Sequence, residues 1–187
     1  MVRTFISIDF NNENIIDNVG KIQHQLMEVD AKLKMVDPNI LHSTLEFLGE
    51  ITDEQIQLVS KILDEIKFPQ FHLEIKQPGL LPNEKYIRVI FCEMDGELEV
   101  LRNIQKELRF KLKESGFKVD SRGFKPHLTI ARVKSINNKS ELIKVINNLS
   151  NFSCGEQEID SVNFKKSELY PTGPIYTSLH EVKAQKR

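Results

Sequence analysis

Cysteine is scarce in this chain. Of 187 residues only Cys92 and Cys154 carry a thiol, and neither belongs to a CxxC pair. Structural zinc and thioredoxin-like redox chemistry therefore have no sequence basis. Cys92, inside the apolar run YIRVIFCEM, reads as a small buried hydrophobe. Surplus charge is missing as well: 26 Lys and Arg stand against 27 Asp and Glu, a formal net charge of −1. A protein that grips nucleic acid by overall charge is excluded, although a local basic patch is not, because steering depends on where charges sit. No apolar stretch approaches the ~20 residues that span a bilayer. The opening MVRTFISIDF alternates into Asp9 and forms no apolar signal core. The expectation is a soluble, cytosolic chain with no membrane partner and no obligate protein partner. Walker loops, GxGxxG turns, HxH and HExxH pairs, linkers and low-complexity tracts are all absent. Nothing in the sequence calls for a cofactor or a metal.

What is present is an ordinary globular composition, 40% hydrophobic and 28% charged, on a chain long enough for a real interior. Strand and helix patterns alternate. RTFISIDF reads as a strand. Ile15, Ile16, Val19, Ile22 and Leu26 follow at near-helical spacing. LHSTLEFLG is a strand, and Thr52 with Gln55 three residues on has capping-box spacing for the next helix. FHLEIKQ and YIRVIFCEM are strands separated by the turn-rich PGLLPNEK. A long helix closes at Gly116, and then come HLTIARV, a helix around SELIKVINNL, and strands near 152–168 and 175–182.

The halves correspond in order, as strand, helix, strand, helix, strand. The expected architecture is one α+β domain of two similar lobes related by a pseudo-two-fold axis. Each lobe has an antiparallel sheet with helices on its outer side, around a central cleft. The approximate halves are 1–85 and 86–187.

The sharpest correspondence is local. His-x-Thr-aliphatic occurs at His42 and again at His127, a separation of 85 residues. Side chains alternate along a strand, so His42 and Thr44 share a face, with Ser43 and Leu45 on the other. His127 and Thr129 likewise share a face, opposite Leu128 and Ile130. A single His-x-Thr on a strand is more often packed or solvated than catalytic; two in equivalent places of similar halves would meet in one cleft. There a neutral imidazole can take a proton from a nucleophile while a protonated one gives a proton to the leaving oxygen. Histidine suits both tasks because its unperturbed pKa is ~6.5. Threonine hydroxyls can donate to phosphate oxygens without adding fixed charge. The chemistry that fits is metal-free phosphodiester cleavage, with the division of labour between the histidines left open. His24, His72 and His180 have no matching partner and read as structural or exposed. Ser43 faces away from His42 and makes a poor nucleophile.

These motifs, with RTFISIDF, NILHSTLEFLGEI, FKPHLTIARVK and LYPTGPIYTSL, resemble the RNA 2′,3′-cyclic phosphodiesterase family, also called 2′-5′ RNA ligases, of the two-histidine phosphoesterase superfamily. The resemblance covers nearly the whole chain. Ser43 stands where the family often has an aliphatic or aromatic residue, and QPGLLPNEKYIRV is more charged than its usual counterpart. The resemblance implies hydrolysis of RNA ending in a 2′,3′-cyclic phosphate to a 2′-phosphate. It makes His42 the proton donor to the leaving 3′ oxygen and His127 the acceptor that activates water. Thr44 and Thr129 would hold the phosphate, Arg132, which matches a recurrent family arginine, would pair with its charge, and Tyr176 would line the cleft as a further phosphate-binding candidate. RNA ends or cyclic nucleotides are the implied substrates. Lys34, Arg122, Lys125 and Lys134 flank the motifs as candidate cations, and Phe5, Phe47 and Phe124 as candidate stacking surfaces. The same histidines would serve 2′-5′ ligation in reverse, and a non-catalytic RNA-end or nucleotide binder is the alternative of a different class.

Overall fold

A computed structural model describes residues 1–120, 123–171 and 173–186. Arg122, one of the candidate cations, lies outside them. The described residues form, in order, β1 Val2–Asp9, α1 Glu13–Met27, β2 Ala31–Met35, β3 His42–Ile51, α2 Asp53–Glu65, β4 Phe71–Asn83, β5 Tyr86–Gly96, α3 Leu98–Glu114, β6 His127–Ile136, α4 Lys139–Asn148, β7 Gly155–Ile159, β8 Ser161–Tyr170 and β9 Gly173–Lys183.

Local signals set several boundaries. The Thr52 hydroxyl accepts from Gln55 N–H at 3.3 Å, and the Gln55 side chain accepts from Thr52 N–H at 2.9 Å. This reciprocal cap satisfies two of the donors orphaned at the start of α2. Gly116, with φ of 84°, ends α3 in a conformation that only glycine adopts without cost. Along α1, Ile15, Val19, Ile22 and Leu26 are fully buried on one stripe, each such side chain contributing about 1.5–3 kcal/mol of transfer free energy.

Two antiparallel sheets result, in the orders β3-β1-β8-β9 and β2-β6-β5-β4-β7. α2 and α3 pack beside the first sheet, against β9 and β3, and α1 packs beside the second, against β2, β6 and β7, with α4 alongside it. The lobes do not follow the sequence halves. β8 and β9 from the C-terminal half complete the first sheet, and β2 and β4 from the N-terminal half sit in the second. In each sheet a histidine-motif strand pairs with the first strand of its own half, and that strand pairs with one from the other half. Interleaving of this kind leaves one continuous hydrophobic core.

Three segments differ from the sequence reading. That reading has no strand at β2, although AKLKM alternates half-buried and exposed residues as an edge strand should. The PGLLPN stretch is not a turn but the continuation of β4, which runs to Asn83. Its prolines are tolerated because β7 pairs only with Phe71–Ile75, so one edge of β4 is unpaired beyond that point, and both prolines adjoin register shifts. The strand region expected near 152–168 holds two strands, β7 and β8, parted at Asp160.

Candidate active site

β3 and β6 begin at their histidines, and over their first nine residues they share one burial pattern. His42 and Thr44 are half-buried and alternate with buried Ser43 and Leu45; His127 and Thr129 alternate with buried Leu128 and Ile130 in the same way. Each strand then carries a bulge at an equivalent place. Ser7 pairs with Thr44 but Ile6 with Glu46, so Leu45 is the extra residue; Phe91 pairs with Thr129 but Ile90 with Ala131, so Ile130 is. A bulge puts two consecutive residues into the interior and re-aims what precedes it. Both His-x-Thr pairs therefore emerge from the same distortion of their sheets.

The imidazoles are held alike. His42 Nδ1 lies 2.9 Å from the carbonyl oxygen of Ile40, and His127 Nδ1 lies 2.7 Å from that of Lys125, two residues upstream in each case. A carbonyl oxygen only accepts, so Nδ1 carries the hydrogen and Nε2 is the nitrogen left to take or give a proton. Each histidine also faces a carboxylate residue across its ladder, Asp9 opposite His42 and Glu93 opposite His127.

The surroundings break the symmetry. Asp9 is ion-paired with Lys165 on β8 and accepts from the Ser7 hydroxyl at 3.1 Å. Glu93 instead accepts from the neutral Gln77 amide at 2.8 Å. His42 packs against Phe5, with centroids 5.0 Å apart, and edge-on to Tyr176 at 5.2 Å. Among the described residues, the one aromatic ring against His127 is that of Phe91, edge-on at 5.8 Å. Burial is the main reason the His42 imidazolium lies below the ordinary histidine range. The Ile40 carbonyl and Asp9 oppose that depression; Lys165 and Arg132 reinforce it. Burial raises the Tyr176 phenol, against the charges of Arg132 and Arg3.

Arg132 thus acts across the sheet boundary, from β6 onto the His42 and Tyr176 side, where β3 and β6 pack together. Lys34 on β2 is its ladder partner. Together they supply a local basic patch on a nearly neutral chain. Lys125 and Lys134 are exposed beside the second motif. Lys125 and His127 line a shallow cavity of about 230 Å³ with Leu81, Phe91, Glu93, Met94 and Pro126.

Of the candidate stacking residues, Phe5 is 3% exposed and packs within the site, Phe124 packs against the core, and Phe47 is 54% exposed. Only Phe47 offers an open ring face. His24 is exposed; His72 lies near Glu97 and Glu158 on the surface; and His180 contacts Asp64 at 2.7 Å. None of these three is in contact with either motif. Among the described residues, no three His, Cys, Asp or Glu side chains gather as a metal-binding group, and no helix is long and apolar enough to cross a membrane.

Sequence reasoning missed Lys165, Asp9, Glu93 and Gln77. Asp9 had a visible signal, a carboxylate ending an apolar strand. Lys165 had none, because its place depends on β8 joining β1.

A family model described as LigT like Phosphoesterase matches the chain twice, over residues 9–91 and 94–176, with one histidine motif in each segment. The RNA 2′,3′-cyclic phosphodiesterase of Methanothermobacter thermautotrophicus is 34% identical over 180 residues, covering 95% of this chain and 96% of that protein. That of Methanocaldococcus jannaschii is 36% identical over 180 residues, covering 96% and 99%. A solved structure from Thermus thermophilus superposes with a TM-score of 0.79 at 26% identity, covering 98% of each chain. Repeated over both halves and matched almost end to end by these relatives, the chain belongs to the LigT-like phosphoesterase family.

Proposed function

We propose that this protein hydrolyses the 2′,3′-cyclic phosphate at RNA ends to a 2′-phosphate and a free 3′-hydroxyl, by paired histidine acid–base catalysis without a metal. The observation that carries the reading is the twin Nδ1-to-carbonyl contact, which presents Nε2 of His42 and of His127 from equivalent bulged strands. The names of the relatives at 34% and 36% identity supply the substrate class.

In this reaction water attacks phosphorus as the bond to the 3′ oxygen breaks. His127 Nε2 takes the proton that water loses, and His42 Nε2 gives one to the departing 3′ oxygen. Thr44 and Thr129 donate to the non-bridging oxygens, where charge grows in the transition state. Arg132 adds long-range attraction for the phosphate. The family resemblance, and not the geometry, decides which histidine is acid. As acid, His42 must be charged when the 3′ oxygen leaves, yet burial favours its neutral form. The arriving phosphodiester anion restores the proton, because an adjacent negative charge favours imidazolium.

The test is turnover of a 2′,3′-cyclic nucleotide in EDTA by the wild type and by His42→Ala and His127→Ala. Wild-type turnover should persist with chelator, and each substitution should lower it by about 10²–10⁴-fold. Activity lost to EDTA would point to a metal. Activity retained in both variants would remove the mechanism.

A further inference from the structure

The strand equivalence that relates the two motifs exposes one residue with no counterpart. Glu46 and Ala131 occupy the same position, next after the bulged residue, paired with Ile6 and Ile90. Ala131 is fully buried and apolar; Glu46 is a carboxylate only 3% exposed. The fold accepts a methyl group at this place, so it does not require the charge. Burying a carboxylate is costly unless it is paired and hydrogen-bonded, and Glu46 is both. Its Oε2 lies 3.1 Å from Arg109 Nε on α3, and its Oε1 accepts from the backbone N–H of Asp120 at 3.1 Å. Gln105 lies beside the pair, its amide 3.4 Å from Glu46 Oε2 and 3.1 Å from Arg109 Nε.

Asp120 is the informative partner. α3 packs beside the first sheet and ends at Glu114; the chain must then cross to the second sheet to begin β6 at His127. Phe117, 8% exposed, anchors the start of that crossing. Lys125, near its end, supplies the carbonyl that orients His127. Glu46, two residues past Thr44, takes hold of the crossing at Asp120.

We propose that Glu46 is a positioning residue: its carboxylate ties the strand of the first histidine motif to the lead-in of the second, and so sets how His127 is presented relative to His42. The proposal rests on the paired-histidine reading for its effect on turnover, but not for the tether itself.

The test is the double variant Glu46→Leu/Arg109→Met, which replaces the partly buried ion pair by apolar side chains and removes the Glu46 acceptor from the Asp120 N–H. It should stay folded, with Tm within about 4 °C of wild type. Amide exchange at Asp120 should speed up by about tenfold or more. With a 2′,3′-cyclic nucleotide, kcat should fall by about tenfold or more while KM changes by less than about threefold, the pattern of lost positioning and not lost binding. Glu46→Gln keeps an acceptor for the Asp120 N–H, so it should retain slower exchange and more turnover than the double variant, even if the double variant does not fold. Wild-type exchange at Asp120 in a folded double variant overturns the tether. Faster exchange with wild-type kcat overturns the positioning role. A Glu46→Gln protein that exchanges at Asp120 as fast as an unfolded chain also overturns the tether. If the wild type itself turns over no cyclic nucleotide, the function proposed above fails, and the exchange result stands apart from it.

Discussion

Asp9 on β1 stands directly across the ladder from His42 on β3, and Lys165 closes an ion pair on that carboxylate. The acidic neighbour of His42 is therefore largely answered by a cation, whereas Glu93 beside His127 meets a neutral amide. With burial the foremost cause, Lys165 and Arg132 hold the His42 imidazolium below its usual range against the Ile40 carbonyl and Asp9. If His42 is the acid, the alkaline limb of kcat/KM, which reports the free enzyme, falls below the ordinary histidine value of ~6.5. Lys165→Met should move that limb to higher pH and Asp9→Asn to lower pH. A limb that neither substitution moves belongs to some other group.

The same depression has a consequence for stability. In the unfolded chain His42 titrates near ~6.5; in the fold it holds its proton less tightly. Between the two values the unfolded state binds more protons, so stability rises with pH there and is lost as pH falls. Above the unfolded value His42 contributes no slope. Urea denaturation at pH 7.5 and 5.5 should show a smaller acid loss for His42→Gln than for wild type, since carboxylate contributions common to both cancel. An equal loss in the two proteins would show that the fold does not penalise the charged ring.

Among the described residues the buried hydroxyl of Ser43, 1% exposed, has no hydrogen-bond partner, where the second motif has fully buried Leu128. An unsatisfied buried donor costs about 1–3 kcal/mol. Ser43→Ala should raise stability by about 1 kcal/mol and leave kcat unchanged, as the side chain faces away from His42. Destabilisation of that size in chemical denaturation would mean that the hydroxyl is satisfied after all.

The residues that were legible in the sequence are those whose roles depend on short-range periodicity. His42 with Thr44 and His127 with Thr129 follow from the two-residue repeat of a strand, and Thr52 with Gln55 from the first turn of a helix. For residues that act through pairing between distant strands, no short-range pattern names the partner, even where, as at Asp9, the residue itself stands out. Asp9 meets His42 only through a ladder spanning residues 9 and 42, and Lys165 reaches both only because β8 crosses into the first sheet. The bulges at Leu45 and Ile130 also escaped, because an extra residue is defined by the partner strand. Pro78 and Pro82 misled for a related reason: their cost depends on whether a neighbour needs their missing N–H, and β7 is too short to reach them.

Gly79 tests whether His127 depends on the ring beside it. A Cβ at position 79 would lie 2.8 Å from Phe91 Cζ and 3.0 Å from Cε1, too close unless the ring moves. Gly79 and Phe91 are ladder partners on β4 and β5, and Phe91 is the ring set edge-on to His127 at 5.8 Å. Gly79 does not have positive φ, so Gly79→Ala strains no backbone and acts only by displacing Phe91. Overpacking of this kind costs about 1–3 kcal/mol, small enough for a folded protein, while kcat should fall because His127 loses the surface that limits its tilt. Gly79→Ala/Phe91→Leu removes the clash but also the ring. If Phe91 merely fills space, the double variant regains both Tm and kcat. If the ring orients His127, Tm recovers and kcat does not, which is the outcome the edge-on contact predicts.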